Sequence, residues 1–420
     1  VGHVRYANAD IAKQTIAAAV AGQEAWQAMS ASRREDILRH IATLYEENYA
    51  EFMALCQLEA GKTTQDGIDE IREAVDFCRF YADEAERLEA EGQEITDLSG
   101  NTIRQTYKPR GTFVCISPWN FPLAIYTGQI VAALAAGNTV VAKPAEQTSL
   151  IAHFGAQLMY QAGVPAEALQ FVAGAGDVGA ALTASDQIAG VIFTGSTQTA
   201  KRINQSLNNH AQASGELPVF IAETGGQNAM IVDSTALPEQ VVTDAVLSAF
   251  GSAGQRCSAC RILCVQEEVA DGIIELLQGH MAELTVGNPT HVSTDVGPVI
   301  DSDAKKGLEA HIERMRNEST ATILGQTPMS ASSVVSEDQA TFVLPTAIEV
   351  SSIDIIGGEH FGPILHVLRY KAKDLDKLID SINGTGFGLT LGIHSRIENI
   401  ADHIERRVVV GNTYINRNQI

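Results

Sequence analysis

No run of this 420-residue chain reaches the ~18 apolar residues that a membrane-spanning helix requires. The longest candidate, residues 130–142, is broken by Gly137 and Asn138. The N-terminal stretch lacks a basic segment ahead of an apolar core, so no secretory signal is visible. Positive charge is scarce: 29 Lys and Arg stand against 51 Asp and Glu, and the net charge of -22 repels phosphate backbones and anionic lipid heads. Neither nucleic acid nor a membrane is therefore expected as a partner. An acidic surface also serves solubility, so the charge by itself identifies no partner. Cysteine is sparse, with 6 in the chain, and a polypeptide able to bury more than one core needs no disulfide staples. A reducing, cytoplasmic setting is the simpler expectation. Low-complexity runs and internal repeats are missing. The chain opens at Val1 rather than Met and reads as a piece whose natural start lies elsewhere.

What is present is regular alternation. Residues 8–90 read as helices: Ile37, Leu38, Ile41, Leu44 and Tyr45 share one face at about 3.6-residue spacing, flanked by the charges of SRREDILRH. In the polar stretch EGQEITDLSGNTIRQTYKPRG, the pattern around Leu98, Ser99, Gly100 and Asn101 predicts a projecting β-hairpin. From Thr112 on, the runs TFVCIS, TVVAK, LQFVAG, GVIFTG and PVFIAE alternate with helical segments such as 121–136 and 150–162. That order predicts an α/β fold with a parallel sheet covered on both faces. Ligands of such sheets bind at the carboxyl ends of the strands. Here those ends read SPWN, KPAE, TGST and ETGG, and the dinucleotide spacing G-x-G-x-x-G is not expected in the strand–helix turns. After Gly226 a second series begins with NAMIV, a helix over 241–252 and RILCV, which puts a domain boundary near 224–226. The polar stretch 326–339 reads as a surface loop.

The heptapeptide GQRCSAC, 254–260, has several readings. A structural zinc site needs about four ligands, and no second CxxC or HxxxH occurs in the chain. A redox CxxC opens a helix after a strand, whereas CSAC follows a helix and leads into a strand. Cys260 and Cys264 alternate along that strand and read as core. Cys257 follows Gly251 and Gly254, and its thiol, with a reference pKa of about 8.5, would need nearby positive charge to act as a thiolate. Arg256 could supply some. From these residues alone, inert core cysteine and nucleophile both stand.

Six stretches in one order, SPWNFP, KPAEQT, FTGST, ETGG, GQRC and EHFGPI, resemble the signature series of the aldehyde dehydrogenase superfamily across nearly the whole chain. REAVDFCRFYA, AETGGQNAMIVDSTALPEQV and GQRCSACRILCV further resemble the glutamate-γ-semialdehyde (Δ1-pyrroline-5-carboxylate) dehydrogenases. Within that branch the similarity is greatest to the dehydrogenase half of bifunctional proline-utilisation flavoproteins. The resemblance implies an aldehyde dehydrogenase-like fold: two doubly wound parallel-sheet domains plus a β-hairpin oligomerisation arm. Residues 1–92 and 109–224 would form the NAD-binding domain, 93–108 the hairpin, and 225–420 the catalytic domain, cut short at its C-terminal end.

The implied reaction is NAD-dependent oxidation of L-glutamate γ-semialdehyde to L-glutamate in proline catabolism. Cys257 matches the family nucleophile, forming a thiohemiacetal and, after hydride leaves, a thioester. The Asn120 amide and the Cys257 N–H match the oxyanion donors, each worth about 3 kcal/mol in the transition state. Apart from the resemblance, Asn120 reads as a helix cap. Glu223 matches the base that hydrolyses the thioester; partial desolvation at its strand end would raise its pKa usefully. Otherwise it is a surface residue at a strand terminus. Its presence favours water over coenzyme A as acyl acceptor.

For the cofactor, Gly195 and Ser196 of FTGST match the helix N-terminus that meets the pyrophosphate. Ala200 stands where the family often continues GSTxxG. Lys143 and Glu146 match residues holding the adenine ribose, and Trp119 the adjoining wall. Glu146 would repel a 2′-phosphate and so favours NAD over NADP. Glu359 and Phe361 match positions at the nicotinamide ribose and ring. Without that context, a Lys–Glu pair is a surface feature worth under about 1 kcal/mol. Ser258 and Arg256 match the branch that binds the substrate's α-carboxylate. A glycine-rich loop downstream of NRNQ completes that anchor in the family, and because the sequence ends at Ile420 the chain is expected to bind NAD better than it turns over substrate. No metal is implied. Implied partners are a small aldehyde, further copies of the chain and a proline dehydrogenase flavin domain fused to it. A dehydrogenase of another semialdehyde, a catalytically silent assembly domain and a coenzyme A-acylating enzyme are the rival readings.

Overall fold

Helical periodicity and side-chain caps build the N-terminal quarter. The computed structural model describes residues 2–90, 94–328 and 341–420. Helices Ala9–Gln27 and Ala31–Glu47 begin where Asn8 and Ser30 accept hydrogen bonds from Ile11 N and Arg33 N, each capping an otherwise unpaired donor. Helices Tyr49–Ala60 and Thr64–Ala90 follow. Ile37, Leu38, Ile41, Leu44 and Tyr45 are all buried, as the 3.6-residue pattern requires. No helix of the described residues is long and apolar enough to cross a membrane.

The chain divides into two compact units, Val1–Ala60 with Gly67–Thr224, and Gly61–Asp66 with Gly225–Ile420. The short return Gly61–Asp66 was assigned to the first domain by sequence; its contacts put it in the second unit. In the first unit, strands β1 (Glu94–Thr96) and β2 (Thr102–Arg104) form the antiparallel hairpin, turned at Gly100 with φ +83°. Strands β3 (Phe113–Ile116), β4 (Val140–Lys143), β5 (Leu169–Phe171), β6 (Gly190–Thr194) and β7 (Val219–Glu223) form a five-stranded parallel sheet in the order β5-β4-β3-β6-β7. The order reverses between β3 and β6, so the loops leaving their carboxyl ends diverge and open a crevice.

The second unit holds β8 (Asn228–Val232), β9 (Cys260–Gln266), β10 (Ala321–Gln326), β11 (Thr346–Val350), β12 (Ile364–Tyr370), β13 (Thr390–His394) and β14 (Asn412–Ile415). They form a seven-stranded sheet, β10-β11-β12-β9-β8-β13-β14. It is parallel except for β10, which pairs antiparallel with β11 at one edge. Strands buried on both faces need continuous apolar runs, and Ala229–Val232 and Ile262–Val265 are fully buried accordingly. The helix read at 241–252 runs Pro238–Phe250 and stops at a left-handed turn. Of the stretch 326–339, Gln326 ends β10 and Thr327 is buried, while 329–339 lies outside the described residues.

Candidate active site

In the first unit the predicted residues gather along the carboxyl edge of the parallel sheet. Ser117–Asn120 leaves β3, and both Trp119 and Asn120 are half-buried. The helix Ala124–Ala135 behind them has no cap of its own. Glu70, a buried carboxylate, supplies one by accepting from Leu123 N at 2.9 Å and Ala124 N at 2.8 Å. Gln129 Nε2 donates to Ile116 O at 3.3 Å and Thr194 Oγ1 at 3.0 Å, tying the ends of β3 and β6 together. These fixed termini hold the Asn120 loop at the sheet's switch point.

Lys143 ends β4 with its ammonium buried; Nζ donates to Pro144 O at 3.1 Å and lies 4.0 Å from Glu146. Burial pushes its pKa down, and Glu146 and Asp177 offset part of that. An ammonium has three N–H donors, so this one retains capacity toward a ligand. Glu146, exposed beside it, is a hydroxyl acceptor. Next to this pair lies a signal the sequence reading missed. Gly174, which follows β5, and Gly176 and Gly179 in the first turns of the helix Gly176–Thr183 do have G-x-G-x-x-G spacing, and a Cβ at Gly179 would touch the Lys143 side chain at 3.7 Å. Ammonium, carboxylate and close-approaching backbone together suit the hydroxyls of a ribose. Gly195 N donates to Glu223 O at 3.1 Å, joining β6 and β7 at this edge.

Two expectations change here. Ser196 caps the helix Thr197–Ser214, its Oγ accepting from Thr199 N at 3.2 Å and lying 3.0 Å from Thr199 Oγ1. That hydroxyl is engaged, which leaves the remaining first-turn N–H groups and the helix dipole to meet an anion. Glu223 terminates β7 but is exposed, so packing within the first unit does not supply the desolvation expected of it.

In the second unit the candidate residues lie at the amino edge of the sheet, as the reading of CSAC as leading into a strand requires. Arg256, Cys257 and Ser258 precede β9, and Glu359 and Phe361 precede β12; Asn228 and Thr390 begin β8 and β13. Cys257 alone of the six cysteines is not buried. Burial pushes the Cys78, Cys115, Cys260 and Cys264 thiols up, Cys260 to about 12, consistent with core roles.

The backbone before Cys257 is unusual. Ser252, Ala253 and Gly254 are consecutive left-handed residues with φ of 52°, 53° and 66°. For side-chain-bearing residues this costs roughly 1–2 kcal/mol each. At Gly254 even a Cβ would collide with Gly362 O. The turn is held from below. Ser252 Oγ donates to Asp66 Oδ1 at 2.6 Å, and Arg256 Nη2 reaches the same oxygen at 3.0 Å. Burial would raise the Asp66 pKa, but Lys62, Arg256, Ser252 and Thr63 outweigh it and hold the carboxyl below its usual range. Arg256 was expected to bind substrate carboxylate. Its guanidinium instead pairs with Asp66, because that carboxylate is buried and needs a cation.

Three residues that sequence reasoning missed complete the frame. Asn228 Nδ2 donates to Cys257 O at 2.7 Å and Ala259 O at 3.0 Å, while its Oδ1 accepts from Thr390 N at 3.1 Å. Arg261, 2% exposed, donates to Gly254 O at 2.6 Å, Arg256 O at 3.1 Å and Gly362 O at 3.0 Å. Asp66 is the third. An arginine inside the apolar run CRILCV was the available sequence signal for Arg261. Glu359 accepts from Gly226 N at 2.9 Å and lies 4.0 Å from Arg261; burial raises its pKa, offset by Arg261 and that N–H. The Phe361 ring lies 5.3 Å from the Arg261 guanidinium carbon, in cation–π range. Ser258 is half-buried, and its carbonyl accepts from Thr390 Oγ1 at 3.2 Å. Among the described residues no group of three or more His, Cys, Asp or Glu side chains is arranged to hold a metal ion.

Residues 1–420 match the aldehyde dehydrogenase family. The bifunctional protein PutA of Klebsiella aerogenes is 47% identical over 426 aligned residues, covering 100% of this chain and 31% of that protein. A 1-pyrroline-5-carboxylate dehydrogenase of Anoxybacillus flavithermus is 34% identical, covering 99% of this chain and 79% of that one. The crystal structure of a 1-pyrroline-5-carboxylate dehydrogenase from Thermus with bound NAD has a TM-score of 0.92 at 30% identity, covering 99% of this chain and 79% of that one.

Proposed function

Because this chain belongs to the aldehyde dehydrogenase family, we propose that it oxidises L-glutamate γ-semialdehyde to L-glutamate with NAD, in the breakdown of proline. The observation that carries the activity is Cys257, the one unburied cysteine, set on a left-handed turn that buried Asp66, Asn228 and Arg261 hold rigid. The substrate assignment draws on the 1-pyrroline-5-carboxylate dehydrogenase relative, at 34% identity over 99% of this chain.

The Cys257 sulfur adds to the aldehyde carbon, and the oxygen that gains charge is met by the Cys257 N–H and the Asn120 amide. Asn228 fixes the Cys257 carbonyl, so the peptide that follows the nucleophile cannot rotate away. NAD held beside Cys257 would supply the hydride acceptor that turns the thiohemiacetal into a thioester. Glu223 then takes a proton from the water that releases glutamate. Lys143, Glu146, Trp119 and the first turn after Gly195 and Ser196 would hold the adenosine and pyrophosphate portions, and Glu359 and Phe361 the nicotinamide riboside. Ser258 contacts the substrate carboxylate; Arg256 is withdrawn from that role by Asp66. The chain corresponds to 31% of its bifunctional relative PutA, which supports a proline-oxidising flavin domain elsewhere in the full-length protein. The exposed hairpin of β1 and β2 is the part proposed to join copies of the chain into a cytoplasmic homo-oligomer.

NADH formation with three aldehydes tests this. Glutamate semialdehyde should exceed propanal and succinate semialdehyde in kcat/KM by at least about a hundredfold, since a site that hydrogen-bonds a substrate group rejects analogues lacking it more strongly than an apolar pocket does. Cys257→Ala should abolish turnover. Equal rates with propanal, or turnover in the alanine variant, would refute the assignment.

A further inference from the structure

Behind the turn that bears Cys257, His311 of the helix Ser302–Arg316 meets His366 of β12 and His360 just before it. None takes part in the reaction above. His311 Nε2 lies 2.9 Å from His366 Nε2, His311 Nδ1 lies 3.0 Å from Arg314 Nη2, and His366 Nδ1 lies 3.1 Å from Arg261 O. His360 stacks on His311 with 3.4 Å between ring centroids and donates from Nε2 to Ile356 O at 3.1 Å.

The two ends of this series determine every hydrogen between them. A guanidinium only donates, so His311 Nδ1 is bare; a carbonyl only accepts, so His366 Nδ1 carries a hydrogen. Each neutral imidazole has one N–H. His311 therefore carries its hydrogen on Nε2 and donates it to the bare Nε2 of His366. A one-way chain runs Arg314 to His311 to His366 to Arg261 O, and no lone pair in it is left to take a proton. The charged groups facing it are Arg314, Arg261 and, 4.0 Å from Arg261, Glu359. Burial lowers His311 to about 2 and His366 to about 3, helped by the neighbouring rings and arginines, and it lowers His360 also.

The chain ends on a sensitive peptide. Asn228 pairs with Cys260 and Ala229 with Ile262, so Arg261 is skipped in the β8–β9 register as a bulge. The β12 pairing likewise begins at Ile262. The His366 N–H serves the carbonyl of this bulged residue, whose side chain grips Gly254 O and Arg256 O on either side of Gln255.

We propose that His311 and His366 are positioning residues, a neutral imidazole pair of opposite tautomers that fixes the Arg261 peptide and thereby presents Cys257 for attack. The proposal rests on the aldehyde dehydrogenase reading for the reaction served, but presentation of Cys257 can be measured without it.

His366→Phe removes the chain, whereas His366→Asn retains an amide N–H directed at Arg261 O. With the fold intact by circular dichroism, alkylation of Cys257 by iodoacetamide should slow about threefold in the phenylalanine variant. Its kcat should fall about tenfold with little change in aldehyde KM, and the asparagine variant should recover most of both. Wild-type alkylation and kcat in a folded phenylalanine variant would overturn the proposal. Should that variant not fold, nitrogen-15 NMR of the unaltered protein decides. The expected spectrum has His311 as the Nε2–H form and His366 as the Nδ1–H form, neither titrating between about pH 5 and 8. The reverse tautomers, or titration in that range, would overturn it. If NMR and alkylation come out as expected but no aldehyde is oxidised, the functional assignment fails and the positioning role stands.

Discussion

Lys143 sets ligand binding against stability in a single side chain. Its ammonium is buried with one hydrogen bond to Pro144 O at 3.1 Å, and burial lowers its pKa. A base with a lowered folded-state pKa binds its proton less tightly in the fold than in the unfolded chain. The cost of holding that proton is absent only above the unfolded-state pKa near 10.4 and grows as pH falls toward the folded-state value, so it opposes folding at neutrality. Lys143→Met removes that penalty and keeps most of the buried volume. Its expected result is a melting temperature about 1–3 °C higher with NAD binding about tenfold weaker. Thermal melts and calorimetric titration check both; a lower melting temperature with unaltered NAD affinity would contradict the role given to Lys143.

At the scale of an element, the turn Gly251–Gly254 depends on a carboxylate remote in sequence. Asp66 is 190 positions from Arg256, yet it anchors both that guanidinium and the Ser252 hydroxyl of the left-handed run. Its pKa is lowered in the fold: the raising effect of burial is outweighed by Lys62, Arg256, Ser252 and Thr63. Between the lowered value and the unfolded value near 3.9, the unfolded chain holds more protons, so stability rises with pH there. The contribution is complete above about pH 4 and is lost as pH falls through the folded-state value. Asp66→Asn should be less stable at pH 7 by about 3 kcal/mol, since it removes the charge of a buried carboxylate that bonds the Arg256 guanidinium and the Ser252 hydroxyl. It should also show a shallower loss of stability below about pH 4 than the parent. Denaturant melts across that range measure this, and parallel acid profiles would sink it.

For the whole molecule the dominant quantity is its charge. A net charge of -22 surrounds a site proposed to take an anionic dinucleotide, so long-range repulsion opposes encounter. Raising ionic strength from 0.01 to 0.15 M shortens the screening length from about 30 to about 8 Å. NAD association should then quicken, by about twofold or more. Stopped-flow binding at several salt concentrations tests this; slower association in salt would mean that local positive charge governs the encounter.

The sequence alone determined the alternating strands and helices, the boundary region near Gly225 and the singular place of Cys257, because periodicity and short motifs are local properties. Ile37, Leu38 and Ile41 needed only their spacing to be assigned to a core. The tertiary structure decided the rest: that Arg256 pairs with Asp66, that Ser196 caps its own helix, and that Arg261 and two histidines lie in one hydrogen-bonded series behind the turn bearing Cys257. Those facts depend on which distant groups the sheet order brings within hydrogen-bond reach. A buried charge or imidazole takes its partner from that neighbourhood and not from its place in the chain.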